Sequence, residues 1–144
     1  MSIKKQPFGT LSDGTDVSLY TLTNENGMQV KITNYGGIIT SILVPDNQGA
    51  VADVVLGFDD LDGYIEDSPY FGCIIGRFGN RIAGGQFKLD DKVYQLAVNN
   101  GPNHLHGGEQ GFDKRVWDVV EHPSKDGGVL ELHYNSPDGE ENYP

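Results

Sequence analysis

The residues able to do chemistry gather in one stretch, residues 76–108, which reads GRFGNRIAGGQFKLDDKVYQLAVNNGPNHLHGG. It carries two arginines, Arg77 and Arg81, and an Asn-Arg step inside a glycine-rich turn, Gly79-Asn80-Arg81. A His-x-His, His104 and His106, follows and is closed by Gly107-Gly108. An arginine offers five donors in a planar fork, and an imidazole nitrogen can donate or accept. Such groups on loops, steadied by neighbouring strands, suit a neutral ligand rich in hydroxyls. Arg81 is the stronger of the two arginines as a ligand group, because Asn80 and the flanking glycines let the backbone approach a bound molecule closely.

Each of these residues also has a plainer role open to it. Arg77 reads as structural, paired with a surface Asp or Glu. His104 and His106 are two residues apart and share a face if their segment is extended. A metal held by them needs a third ligand, and no nearby cysteine or acidic cluster supplies one, so no metal site is expected. Cys73 lies in an apolar run and reads as a small buried hydrophobe. Core packing is the expected role of Tyr35, Phe58, Tyr64, Tyr70 and Trp117. The acidic residues between 59 and 67 lack the spacing of a known calcium loop. His122 and His133 carry no signal.

The elements that must position these groups are strands. Residues 17–22 form one candidate. Residues 27–33 (GMQVKIT) alternate, with Met28, Val30 and Ile32 on one face and Gln29, Lys31 and Thr33 on the other. Residues 38–44 (IITSILV) and 51–57 (VADVVLG) follow on either side of a Pro-Asp-Asn turn. Residues 58–70 read as a long acidic surface loop, and 71–76 as a short apolar lead into the focal stretch. Residues 86–89 and 92–96 flank Asp90-Asp91 as a hairpin. Residues 116–121 and 129–134 form a second one, turning through Pro123 and Asp126-Gly127-Gly128. No helical period exceeds one or two turns. The class is all-β, an antiparallel sandwich or part of one.

At 144 residues the chain reads as one domain. Its 20 glycines and 7 prolines fit many short strands better than long helices. A net charge of −11 without a basic patch argues against nucleic acid and against an anionic membrane surface. The single cysteine cannot form an intrachain disulfide, and the N-terminus MSIKKQPFG lacks the apolar core of a signal peptide. A cytoplasmic location is expected.

Five blocks carry a family resemblance: NYGGIITSILVPD, DVVLGFDDLDGY, GRFGNRIAGGQF, NNGPNHLHGG and SPDGEENYP. From about Thr33 to Pro144 the chain resembles the N-terminal portion of the aldose 1-epimerase (galactose mutarotase) family. The resemblance implies a large antiparallel β-sandwich of which residues 1–144 are one part. It also implies an isomerase that interconverts the α and β anomers of free hexoses such as galactose and glucose, without cofactor or metal. Ring opening takes a proton from the C1 hydroxyl and gives one to the ring oxygen, work for a carboxylate base and a histidine acid. Asn80 and Arg81 match the family's sugar-contacting Asn-Arg step. His106 matches its first active-site histidine and is the candidate catalytic residue here.

The family's proton-donor histidine and base glutamate lie beyond the turn at residues 135–139, so neither is matched among these 144 residues, and the chain alone is expected to be inactive. The alternative is a non-catalytic sugar-binding or sensing module that keeps Arg81 and His106. An incomplete sandwich leaves strand edges and apolar surface exposed, which promotes association.

Overall fold

A computed structural model describes residues 2–66, 69–124 and 128–144. In chain order the elements are β1 (Ser2–Thr10), β2 (Asp16–Thr23), β3 (Gln29–Thr33), β4 (Ile39–Pro45), β5 (Val51–Asp53) and the helix α1 (Leu61–Glu66). There follow β6 (Arg81–Ile82), β7 (Gln86–Leu89), β8 (Lys92–Gln95), β9 (His104–Leu105), β10 (Asp118–His122) and β11 (Val129–His133). Among the described residues every strand pairing is antiparallel, as expected. Two compact units result: Met1–Cys73 with Val116–His133, and Ile74–Arg115 with Tyr134–Pro144.

The first unit holds a five-stranded sheet in the order β1-β2-β3-β4-β5, and the β10–β11 hairpin. Its core is Val17, Tyr35, Ile38, Leu61 and Tyr64, with Phe8, Leu11, Phe58, Cys73 and Val116 packed against it. Tyr35, Phe58 and Tyr64 therefore serve packing, as expected. Cys73 is only half-buried, and its thiol donates to the Tyr70 carbonyl at 3.2 Å.

Three local expectations need correction. β1 is absent from the sequence reading because Lys4-Lys5-Gln6-Pro7 has no apolar alternation; it is an edge strand, and its register on β2 slips between Pro7 and Gly9. The strand expected over 51–57 ends at Asp53, whose carboxylate accepts the amides of Ile42 (3.0 Å) and Val55 (3.2 Å), while the Val54 amide makes a last bond to the Ile42 carbonyl at 3.0 Å. The acidic loop contains α1, six residues that bury Leu61 and Tyr64 one turn apart. Asp60 caps it by accepting the Gly63 amide at 3.1 Å. Asp67, and Asp126-Gly127 of the β10–β11 turn, lie outside the described residues.

The second unit holds the β7–β8 hairpin and the two-residue β6–β9 pair. Asp90 and Asp91 have φ of 47° and 64°, so the expected hairpin turns through two left-handed residues. Residues 71–76 form no strand. Among the described residues no helix is long and apolar enough to cross a membrane.

Candidate functional site

The site grows from a ladder only two residues long. In β6 and β9, Arg81 lies opposite Leu105 and Ile82 opposite His104. One step further out, the Asn80 amide donates to His106 Nδ1 at 2.9 Å, and the His106 amide donates to the Asn80 carbonyl at 3.1 Å. Asn80 (φ 67°) and His106 (φ 51°) are both left-handed, a conformation that Asn and His tolerate better than most residues. Because Nδ1 accepts, the neutral His106 ring carries its proton on Nε2, which is then a donor.

The ladder also fixes the Arg81 fork. Its Nε donates to Asn100 Oδ1 at 2.9 Å and an Nη to Asn80 Oδ1 at 3.3 Å. These bonds engage two of its five donors. Arg81 lines an open cavity of about 530 Å³ with Arg77, Phe78, Ile82, Phe87, Tyr143 and Pro144. Asn80 and His106 are not part of that wall.

His106 is the second residue of a tight turn. The Gly108 amide donates to the Leu105 carbonyl at 3.1 Å across His106 and Gly107, both at positive φ. The two histidines therefore do not share an extended face. A Cβ on Gly107 would sit 1.7 Å from the Gly76 carbonyl oxygen, and one on Gly108 would sit 2.0 Å from Glu141 Oε2. The Gly107 clash is with fixed backbone, and both residues lie at a positive φ (91° and 112°) that favours glycine.

His104 is fully buried, 0% exposed. Its Nδ1 lies 2.8 Å from the Ala97 carbonyl, which can only accept, so that nitrogen carries the proton. Nε2 then accepts from the Tyr143 hydroxyl at 2.6 Å. Burial, with the Glu141 charge adding to it, pushes the Tyr143 hydroxyl up to about 12, and Arg77 pulls the other way. His104 is thus a structural anchor. Among the described residues no group of three His, Cys, Asp or Glu side chains could hold a metal ion.

Arg77 is structural, but its partners differ from the acidic side chain expected. It donates to Ser136 Oγ (2.8 Å) and to the carbonyls of Pro144 (2.6 Å) and Pro137. Ser136 and Tyr134 in turn donate to Glu140, which pairs with Arg115 at 2.8 Å. Burial works to raise the Glu140 carboxyl, but Ser136, Tyr134, Arg115 and Arg77 together outweigh it and hold the group below its ordinary value.

Asn99, Asn100, Glu141 and Tyr143 are the contributors that the motifs did not single out. Asn99-Asn100 precedes Gly101-Pro102 and reads only as turn material. No spacing rule links Tyr143 to a histidine 39 residues earlier.

The aldose 1-epimerase family model matches residues 18–144. The chain belongs to the aldose 1-epimerase family. It is 46% identical to the galactose mutarotase of Bos taurus over 144 residues, covering the whole of this chain and 41% of that protein. It is 36% identical to the aldose 1-epimerase of Escherichia coli K12 over 132 residues, or 92% of this chain and 37% of the relative. The chain thus spans about two fifths of the length of these relatives. Among solved structures, galactose 1-epimerase from Lactobacillus acidophilus NCFM superposes with a TM-score of 0.83 at 31% identity, covering 99% of this chain and 42% of that one. The antiparallel fold expected from the sequence is therefore the epimerase fold, of which these residues form a part.

Proposed function

We propose that Asn80, Arg81 and His106 are the sugar-gripping side of an aldose 1-epimerase site whose complete form interconverts the anomers of free aldoses such as galactose and glucose. One observation carries this reading: Asn80 and His106 bracket each other through one backbone hydrogen bond and one from the Asn80 amide to the His106 ring, while Asn80 and Asn100 aim the Arg81 fork. An Nε2–H donor and a guanidinium held in fixed relation suit several oxygens of one pyranose at once. Family membership and the mutarotase relatives support the substrate class.

The reaction removes a proton from the C1 hydroxyl and protonates the ring oxygen as the C1–O bond breaks; closure on the other face reverses both transfers. His106 hydrogen-bonds the sugar near the ring oxygen in this reading, and Arg81 holds hydroxyls. In this reading the proton-donor histidine and base glutamate that the resemblance implies are not among residues 1–144. The chain alone is therefore expected to bind sugar without turning it over.

Polarimetry of freshly dissolved α-galactose with the purified chain tests this. A rate equal to buffer agrees. An accelerated approach to the equilibrium rotation contradicts it, and means that residues within the chain supply acid and base.

A further inference from the structure

We infer that Glu141 is a positioning residue for His106, acting through the backbone that follows the His106 turn; its relevance to sugar rests on the function proposed above. The Glu141 carboxylate accepts two successive amides, Glu109 at 3.0 Å through Oε2 and Gln110 at 3.1 Å through Oε1. These amides begin one residue after the turn formed by Leu105, His106, Gly107 and Gly108. Glu141 Oε2 lies 2.0 Å from where a Cβ on Gly108 would stand, and the φ of 112° at Gly108 itself favours glycine.

From the other side, Asn99 holds the same turn. Its Nδ2 donates to the carbonyls of Leu105 (3.0 Å) and Gly108 (2.9 Å), and its Oδ1 accepts the Leu105 amide at 2.7 Å. Asn99 fixes the carbonyls of the turn and Glu141 fixes the amides beyond it. His106 sits between these two clamps at a left-handed φ that costs energy unless its surroundings enforce it. Glu141 is itself left-handed, at φ 51°, as is Asn142 at 65°. The acceptor pair is thus presented by a backbone held out of its usual conformation. A charged acceptor taking two neighbouring amides is stronger than a neutral one and fixes direction as well as distance.

The experiment is nitrogen-detected NMR of the His106 ring in the unmodified chain and in Glu141→Ala and Glu141→Gln, with melting curves as the control for folding. The unmodified chain should show one tautomer, protonated on Nε2. Glu141→Ala should lose that signature to averaging between tautomers. Amide exchange at Glu109 and Gln110 should quicken about tenfold, the loss of one net hydrogen bond each.

Glu141→Gln keeps one acceptor oxygen and should restore part of the signature, which keeps the test decisive if the alanine variant does not fold. An unchanged His106 signature in both variants, with faster exchange at Glu109 and Gln110, overturns the positioning role. Galactose added to the unmodified chain separates the two claims. A His106 ring that answers to Glu141 but not to galactose upholds the positioning and removes the sugar reading.

Discussion

The two units are held by different means. The first is a five-stranded ladder over an apolar core, with side-chain-to-backbone bonds at Asn24, Asn34, Asp46 and Asp53 beside the ladder. The second has a hairpin, a ladder two residues long, and side chains that reach across to backbone: Asn99, Arg77, Glu141 and Gln95. Apolar burial is non-directional and tolerates small shifts, whereas a hydrogen bond specifies distance and angle. A site that must aim donors at particular oxygens is built from the second kind of contact. The segments of the second unit leave the regular regions of backbone space repeatedly, and Asn80 and His106 do so where the chemistry sits.

Perturbing each unit by its own means should expose the contrast. The largest effect belongs to the apolar core. Ile38→Ala removes a side chain that is 1% exposed and should cost about 2–5 kcal/mol in denaturant unfolding. Tyr143→Phe removes only a hydroxyl, but it leaves the buried His104 Nε2 without its donor. A loss of about 1–3 kcal/mol is expected. A cost for Tyr143→Phe above that of Ile38→Ala would reverse the comparison.

Alkali should reach the second unit through the same tyrosine. Its hydroxyl rises from an ordinary 10.0 to about 12 in the folded state, so the unfolded chain ionises first. Stability tied to Tyr143 is complete below pH 10 and falls as pH rises from 10 to 12. Stability curves of the unmodified chain and of Tyr143→Phe should therefore draw together across that window; parallel curves would contradict the assignment. The smallest effect is that of Arg81→Ala. An exposed arginine should change stability by no more than about 0.5 kcal/mol, since its role is toward a ligand. A large loss of stability would make Arg81 structural.

Legibility in the sequence followed the same division. Strands β2, β3 and β4 and both hairpins declare themselves through apolar runs and turn residues, since these are local signals with a local cause. β3 is half-buried on both faces, as a central strand, so its alternation predicts its conformation better than its exposure. β1 was hidden because backbone pairing, not patterning, places it on the sheet edge. α1 was hidden because six residues fall short of a readable helical period. In the site, Asn80, Arg81 and His106 were legible through motif resemblance. Their supports were not: Glu141 and Tyr143 act over 32 and 39 residues, and no local pattern encodes such a pairing.

The most direct test of the sugar-gripping reading is an amide and arginine side-chain NMR titration of the chain with galactose. The account predicts saturable shifts centred on Asn80, Arg81 and His106, abolished in Arg81→Ala. No shift at saturating sugar, or shifts centred on the β1–β5 sheet, would contradict it.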